Sequence, residues 1–238
     1  MGNVFQIILN GLSQGGVYAL IALGYTMVYG IAKMLNFAHG DLIMVGGYTV
    51  YVTFGLMGFP LIAIIFAVVF CTILGICVEK FAYKPLRGAS PLAVLITAIG
   101  VSYLLQSLAF LIFKSNPRMI DLFPGLSTNQ KTIITLVTAL VVMAALTLFI
   151  NFTRIGKAMR AVSEDKGASQ LMGINSNMII SITFAIGSAL AAIAGAFYLL
   201  KTPAVTYTMG SMPGIKAFTA AVIGGIGSIP GAMVGGLL

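Results

Sequence analysis

Asn36-Phe37-Ala38-His39-Gly40-Asp41 holds the only histidine of the chain and one of its five acids. It is set between two long uncharged runs, residues 1–32 and 42–78. Such groups at membrane depth serve ion-coupled carriers, whose pathways use intramembrane Asp, Glu or His. They also suit interrupted helices, where unwound backbone and half-helix ends line a path. The plain alternative is an interfacial turn in which Asp41 N-caps the next helix. Gly46-Gly47 follows the hexapeptide, and a second glycine-rich break, Gly-Gly-Ile-Gly-Ser-Ile-Pro-Gly at 224–231, lies in the other half of the chain. Enzymatic acid–base or metal chemistry needs two or more convergent polar groups. One histidine with no acid pair inside the apolar runs argues against it. Cys71 and Cys77 are six residues apart and point to separate faces of a helix, which disfavours a disulfide or a paired metal site.

The elements that must position these residues are membrane helices. Of 238 residues 59% are hydrophobic and 8% charged, against about 25% charged in ordinary domains. The mean hydropathy is +1.07, and the alternating segments of a barrel are absent. The fold class is therefore all-α and polytopic, with about seven to eight transmembrane segments and interrupted helices near residues 36–47 and 224–231. Spans are expected at 5–30, 42–54, 61–78, 92–113, 132–152 and 178–200, with a final apolar stretch from 216. The first run has no basic n-region or small-residue cleavage site, so it is expected to be a span and not a signal peptide. Gly11 and Gly15 have GxxxG spacing, and Gly187, Ala191 and Gly195 form a small-residue stripe, both of which suit close helix packing.

The net charge of +8 is scattered over loops, which suits bilayer orientation better than nucleic-acid binding. With loops 79–90 and 153–175 cytoplasmic, alternation gives the inside Lys33, Lys80, Lys84, Arg87, Arg154, Lys157, Arg160 and Lys166. The outside then holds Lys114, Arg118, Lys131, Lys201 and Lys216. The bias fits the positive-inside rule and implies an external N-terminus, unless the hexapeptide is re-entrant, which would reverse the parity.

Residues 154–175 form the largest polar insertion. Ile155, Met159 and Val162 share one helical face, with Lys157, Arg160 and Glu164 on another. Ser163 or Asp165 suits the cap of a second short helix, which Gly173 would end. A lipid surface and a groove on a soluble partner both suit this segment.

Together the stretches LNFAHGDLIMVGGY, RIGKAMRAVSEDKGASQLMGIN and KAFTAAVIGGIGSIPGAMVGG resemble motifs of the LivH-type permease subunits of ABC importers for branched-chain amino acids. That family also includes ribose-type permeases. Lys157 stands where arginine is more usual, which keeps charge but loses the planar fork. The resemblance implies one to two further helices beyond Leu238. It makes residues 1–238 a single transmembrane permease domain, multi-pass in the bacterial cytoplasmic membrane, with 154–175 as a cytoplasmic coupling loop.

The implied partners are cytoplasmic ATP-binding cassette ATPases, a second related permease, an extracytoplasmic substrate-binding protein and membrane lipid, with no nucleic acid. The resemblance puts ATP hydrolysis on partner subunits, and the absence of a GxxxxGK[ST] motif agrees with that. The chain itself is expected to be no enzyme and to need no cofactor or metal. Pathway residues by this resemblance are Asn36, Phe37, His39, Gly40, Asp41, Gly46, Gly47, Gly224, Gly225 and Gly227. Coupling residues are Arg154, Lys157, Arg160, Glu164, Leu171, Met172, Gly173 and Ile174. The rival is an ion-coupled secondary carrier using His39 and Asp41, for which Asp41→Asn would abolish transport.

Overall fold

The computed structural model describes Gly2–Leu238. The order is α1 (Gly2–Ala32), α2 (His39–Met57), α3 (Pro60–Val78), a π-helical turn (Glu79–Tyr83), a 3-10 turn (Lys84–Leu86) and α4 (Pro91–Phe113). The second half has β1 (Arg118–Met119), α5 (Thr128–Phe152), α6 (Arg154–Glu164), α7 (Lys166–Leu171), α8 (Ser176–Lys201), β2 (Ala204–Val205), α9 (Ser211–Ile223) and α10 (Ile229–Leu237). Six of these segments are long and apolar enough to cross a membrane, and α9 is a shorter apolar helix. The all-α polytopic expectation holds.

Local chemistry sets the ends. Proline opens α3, α4 and α10, where its missing N–H is no loss. Ser127 and Gln130 form a reciprocal capping box that starts α5 four residues before the expected span. Thr153 caps α6 and Asp165 caps α7, as the spacing suggests for the latter. Gly173 then turns the chain with a φ of 82°, a conformation open to glycine at no steric cost.

Helices α1 and α8 form the interior, while α3, α4 and α5 make the rim. About 72% of the α1 span is buried against 11% of α4. In lipid, association depends on close packing, and small residues provide it. A Cβ on Gly46 would press on the Ala192 backbone, and one on Gly195 on the carbonyl of Ile43. Of the GxxxG pair, Gly15 lies against Gly236 and Leu237 of α10, whereas Gly11 faces open space.

Two ends of the bundle are distinct. Lys33, Arg87 and Lys166 line one cavity of about 360 Å³, so the α1–α2 break, the loop after α3 and α7 lie at the same end. At the other end Gln6 Nε2 donates to Asn129 Oδ1 at 2.8 Å and Lys201 Nζ to the Asn10 carbonyl at 2.7 Å. There β1 pairs antiparallel with β2. Lys131 donates to Asp121 at 2.7 Å, and that partner holds the Asp121 carboxyl below the usual carboxylate range. Lys216 departs from the expected loop position: it sits within α9 with its ammonium 5.8 Å from the Tyr18 ring. The far-end basic count is then four.

Gly15→Leu should destabilise the bundle by about 1–3 kcal/mol, since the side chain must displace α10 backbone. Gly11→Leu should change little. Thermal unfolding of the two detergent-solubilised variants beside the parent protein checks both.

Candidate translocation and coupling sites

The hexapeptide is buried, not a solvated turn: Asn36, His39 and Asp41 are each no more than 3% exposed. A tight turn carries His39 N–H to the Asn36 carbonyl and Asp41 N–H to the Ala38 carbonyl, and α2 starts there. Ala38 occupies the N-cap without a side-chain bond. Asp41 is therefore no cap, contrary to the turn alternative; it stands inside the first turn. Between α1 and α2 the chain is non-helical only over residues 33–38, and Gly46 and Gly47 are regular α2 residues. They remain helical because the neighbours they admit, Ala192 and Met209, pack against the helix from outside.

Depth follows from α1. The His39 ring lies against Gly24, where a Cβ would strike its Nε2 and Cε1. Gly24 is eight residues before Ala32, about 12 Å along the helix. So α2 begins well inside the bundle. His39 also meets Tyr25 edge-on, with centroids 4.7 Å apart. Gly40 lies backbone to backbone against Gly210 and Gly214, so α9 also begins at this point. Two helix N-termini thus meet in mid-bundle, and Asp41 supplies negative charge in the first turn of one of them.

Asp41 faces a cavity of about 350 Å³, lined also by Tyr25, Phe37, Ser102, Gln106, Ser211 and Phe218. Gln106 Nε2 donates to Asp41 Oδ1 at 2.8 Å and contacts Ser102 Oγ at 3.2 Å. Phe37 and Phe218 pack with centroids 5.2 Å apart. The sequence reasoning missed Ser102 and Gln106. Their signal was there: two polar residues four apart in an uncharged span share one helix face.

The second glycine break does not join this junction. Gly227 lies on Gly30 and Gly224 on Gly231, while Gly225 and Gly227 have φ of 87° and 99°. Gly227 shares a cavity of about 320 Å³ with Asn151, Arg160 and Glu164. Gly224, Gly225 and Gly227 therefore sit at the α6 end of the bundle. The reason is length: α9, only 13 residues, runs from Gly40 to that end before the chain turns. The partner of the hexapeptide is the Gly210 junction.

Of the coupling residues, Arg154, Lys157, Arg160 and Glu164 are on exposed positions of α6. Met159 and Val162 bury against the bundle while Ile155 of the same face stays exposed, so α6 uses only part of its apolar face internally. Arg160 bends back to Asn151, at 3.1 Å to Oδ1 and 3.3 Å to the carbonyl oxygen. Leu171 and Met172 are 91% and 83% exposed, next to Gly173. Ile174 departs from its expected outward role: it packs on the hydrophobic core.

Beside this loop, α8 opens at Ser176. Asn177 accepts from Arg87, and Ser181 Oγ donates to Glu79 Oε2 at 2.6 Å. Glu79 is also ion-paired with Arg87. Four residues on, the Tyr83 hydroxyl donates to Asn36 Oδ1 at 2.7 Å. The π-helical turn thus joins the start of α8 to the hexapeptide, and such turns are frequent at functional sites.

A rim of lipid-facing helices around a buried, half-polar junction defines a multi-pass membrane transport protein. Residues 7–238 match the family model described as branched-chain amino acid transport system / permease component. The chain belongs to that family and is a permease component, not an enzyme. It is 44% identical to the high-affinity branched-chain amino acid transport system permease protein BraD of Pseudomonas aeruginosa, over 98% of this chain and 83% of that one. It is 42% identical to the corresponding LivH of Escherichia coli K12, over 98% and 82%. The ribose import permease protein RbsC of the same strain is 24% identical over 99% and 77%. No solved structure gives a significant match.

Glu79→Ala should cost about 3–5 kcal/mol, because it strands a largely buried guanidinium. Glu79→Ala with Arg87→Ala should cost less than Glu79→Ala alone. Thermal unfolding of the single and double variants checks the order.

Proposed function

We propose that this chain is half of the transmembrane pathway of an ATP-driven importer for branched-chain or related neutral amino acids in a bacterial inner membrane. Residues 1–238 act as one transmembrane permease domain, and residues 154–175 are its cytoplasmic coupling loop. A second, related permease completes the pathway. Two cytoplasmic ATP-binding cassette ATPases drive the permease pair, the loop of this chain being its coupling element, and an extracytoplasmic protein delivers substrate. The family membership supports the transport class. The observation that carries the coupling is the pair Leu171 and Met172, two large apolar side chains almost wholly exposed at a helix end. Apolar anchors of this kind fit a groove on a protein partner.

Closure of the ATPases would shift α6 and α7 as a rigid unit. The start of α8 moves with them, and through Asn177 and Ser181 the displacement reaches Glu79 and Arg87. The π-helical turn relays it to Asn36 by way of Tyr83. The junction of α2 and α9 then opens to one side or the other. Asn36, Phe37, Gly40 and Asp41 act in the pathway at this junction, while Gly46 and Gly47 let α8 and the 202–210 segment approach α2. Gly224, Gly225 and Gly227 act as the turn that lets α9 and α10 move beside α6.

An ion-coupled carrier through His39 and Asp41 has less support, because the His39 ring faces Gly24 and α1 whereas Asp41 faces the cavity.

Leu171→Asp with Met172→Asp should abolish recovery of ATPases on a tagged chain and lower ATP-dependent amino-acid uptake by roughly a hundredfold or more, the scale of losing a buried anchor pair. The bundle should melt as before. Uptake in proteoliposomes that collapses with a protonophore while ATP is held constant would contradict the importer reading.

A further inference from the structure

The cavity of about 360 Å³ at the Lys33 end of the bundle borders the Glu79–Arg87 relay but is not used by it. Its volume falls within the ~300–1,000 Å³ usual for small-ligand pockets. Three cations line it: Lys33 after α1, Arg87 after the 3-10 turn and Lys166 at the start of α7. Residues so far apart in sequence share one wall only because the fold gathers them. No acid lines it. Glu79 holds Arg87 from another side, and the Asp165 carboxylate accepts from the Ala168 N–H at 2.9 Å within the turn of α7. The ion pairs among the described residues are Arg87–Glu79 and Lys131–Asp121, so Lys33 and Lys166 take part in neither. The Arg87 side chain is only 9% exposed, and its Nε finds no hydrogen-bond partner among the described residues. A buried donor left without an acceptor is costly. Much of the remaining wall is apolar, with Met34, Val94 and Ile180. Val94 belongs to α4, the rim helix that faces lipid along most of its length.

We propose that this cavity seats the headgroup of an anionic phospholipid, with the phosphate on Lys33, Lys166 and the Arg87 Nε and the glycerol end of the acyl chains on Met34, Val94 and Ile180. The proposal goes beyond the importer reading and does not depend on it. Hydrogen bonds from Lys or Arg to phosphate are charge-assisted and among the stronger ones. Basic pockets between transmembrane helices on the cytoplasmic side bind anionic headgroups. A single lysine at a helix end reaches the interface by itself, whereas here three cations from separate segments enclose one space. The lining is amphipathic, and so is the ligand. A free anion would meet the cations but leave the apolar wall bare. A zwitterionic lipid would bring its own ammonium toward three cations. Lys166 begins α7 and Leu171 ends it, so the headgroup and the exposed apolar anchors of that helix lie at opposite ends.

The chain has no tryptophan, so a single introduced one reports on its own surroundings. Ala89→Trp places it at the exposed edge of the cavity. Phe81→Trp places it on the exposed face of the nearby π-helical turn, outside the lining. Each variant of the full chain is put into vesicles of phosphatidylcholine and phosphatidylglycerol at one fixed composition, with bromine on the acyl chains of one lipid or the other. Brominated phosphatidylglycerol should quench Ala89→Trp roughly tenfold more effectively than brominated phosphatidylcholine, the scale of two lysines on one anionic headgroup. The two lipids should quench Phe81→Trp alike. Adding Lys33→Gln and Lys166→Gln should remove the preference, and adding Lys33→Arg and Lys166→Arg should keep it. Equal quenching of Ala89→Trp by the two lipids, or a preference that survives the glutamine pair, overturns the site. A preference abolished by inorganic phosphate at constant ionic strength overturns the lipid as occupant in favour of a free anion.

Discussion

The close backbone contact of Gly40 with Gly210 and Gly214 is the constraint on which the rest of this structure depends. A side chain at Gly40 or Gly210 would drive the starts of α2 and α9 apart. Because they meet, two helices begin in the interior, and their first turns share one small region. That arrangement is tolerable in a membrane only where protein or a wet cavity surrounds it. Around the contact, Gly46 against Ala192 and Gly195 against Ile43 hold α2 on α8, and Tyr25, Phe37 and Phe218 close the flank.

Polar groups are few in this chain, and several of them join one helix to another. Glu79 and Arg87 tie the end of α3 to the start of α8, and Tyr83 ties the same segment to Asn36. A buried pair of this kind is weak as a source of stability but strong as a constraint on geometry, since breaking it leaves a charge alone. The rim behaves differently. Helix α4 is bound to the bundle largely by its Gln106–Asp41 bond and apolar contacts, and most of its surface faces outward.

Much of the fold was legible in the sequence because lipid imposes simple rules. Uncharged runs gave the six long spans, and Asp165 and Gly173 marked the ends of α7 through ordinary cap chemistry. Interruption of the first half at the hexapeptide was legible too. What was not legible depended on depth and pairing. Asp41 fits an N-cap by type, but the turn at 36–38 places Ala38 there. Gly224, Gly225 and Gly227 outnumber Gly210 as a signal, yet the single Gly210 meets Gly40, because the segment from 202 to 210 folds back into the bundle. Ser102 and Gln106 were passed over as incidental polar residues in α4. Ile174 and Lys216 were misplaced for a related reason: the hydropathy of one residue does not tell which of its neighbours it faces.

The most direct measurement of the central claim is accessibility at the junction itself. Phe37→Cys and Ser211→Cys, each with Cys71 and Cys77 replaced by alanine, can be exposed to a membrane-impermeant thiol reagent from either side of sealed vesicles, with and without a nucleotide that holds the ATPases closed. A pathway at the α2–α9 junction predicts that both positions react, and that the reactive side changes with nucleotide. Both thiols remaining inert from either side, in vesicles that still transport, would contradict it.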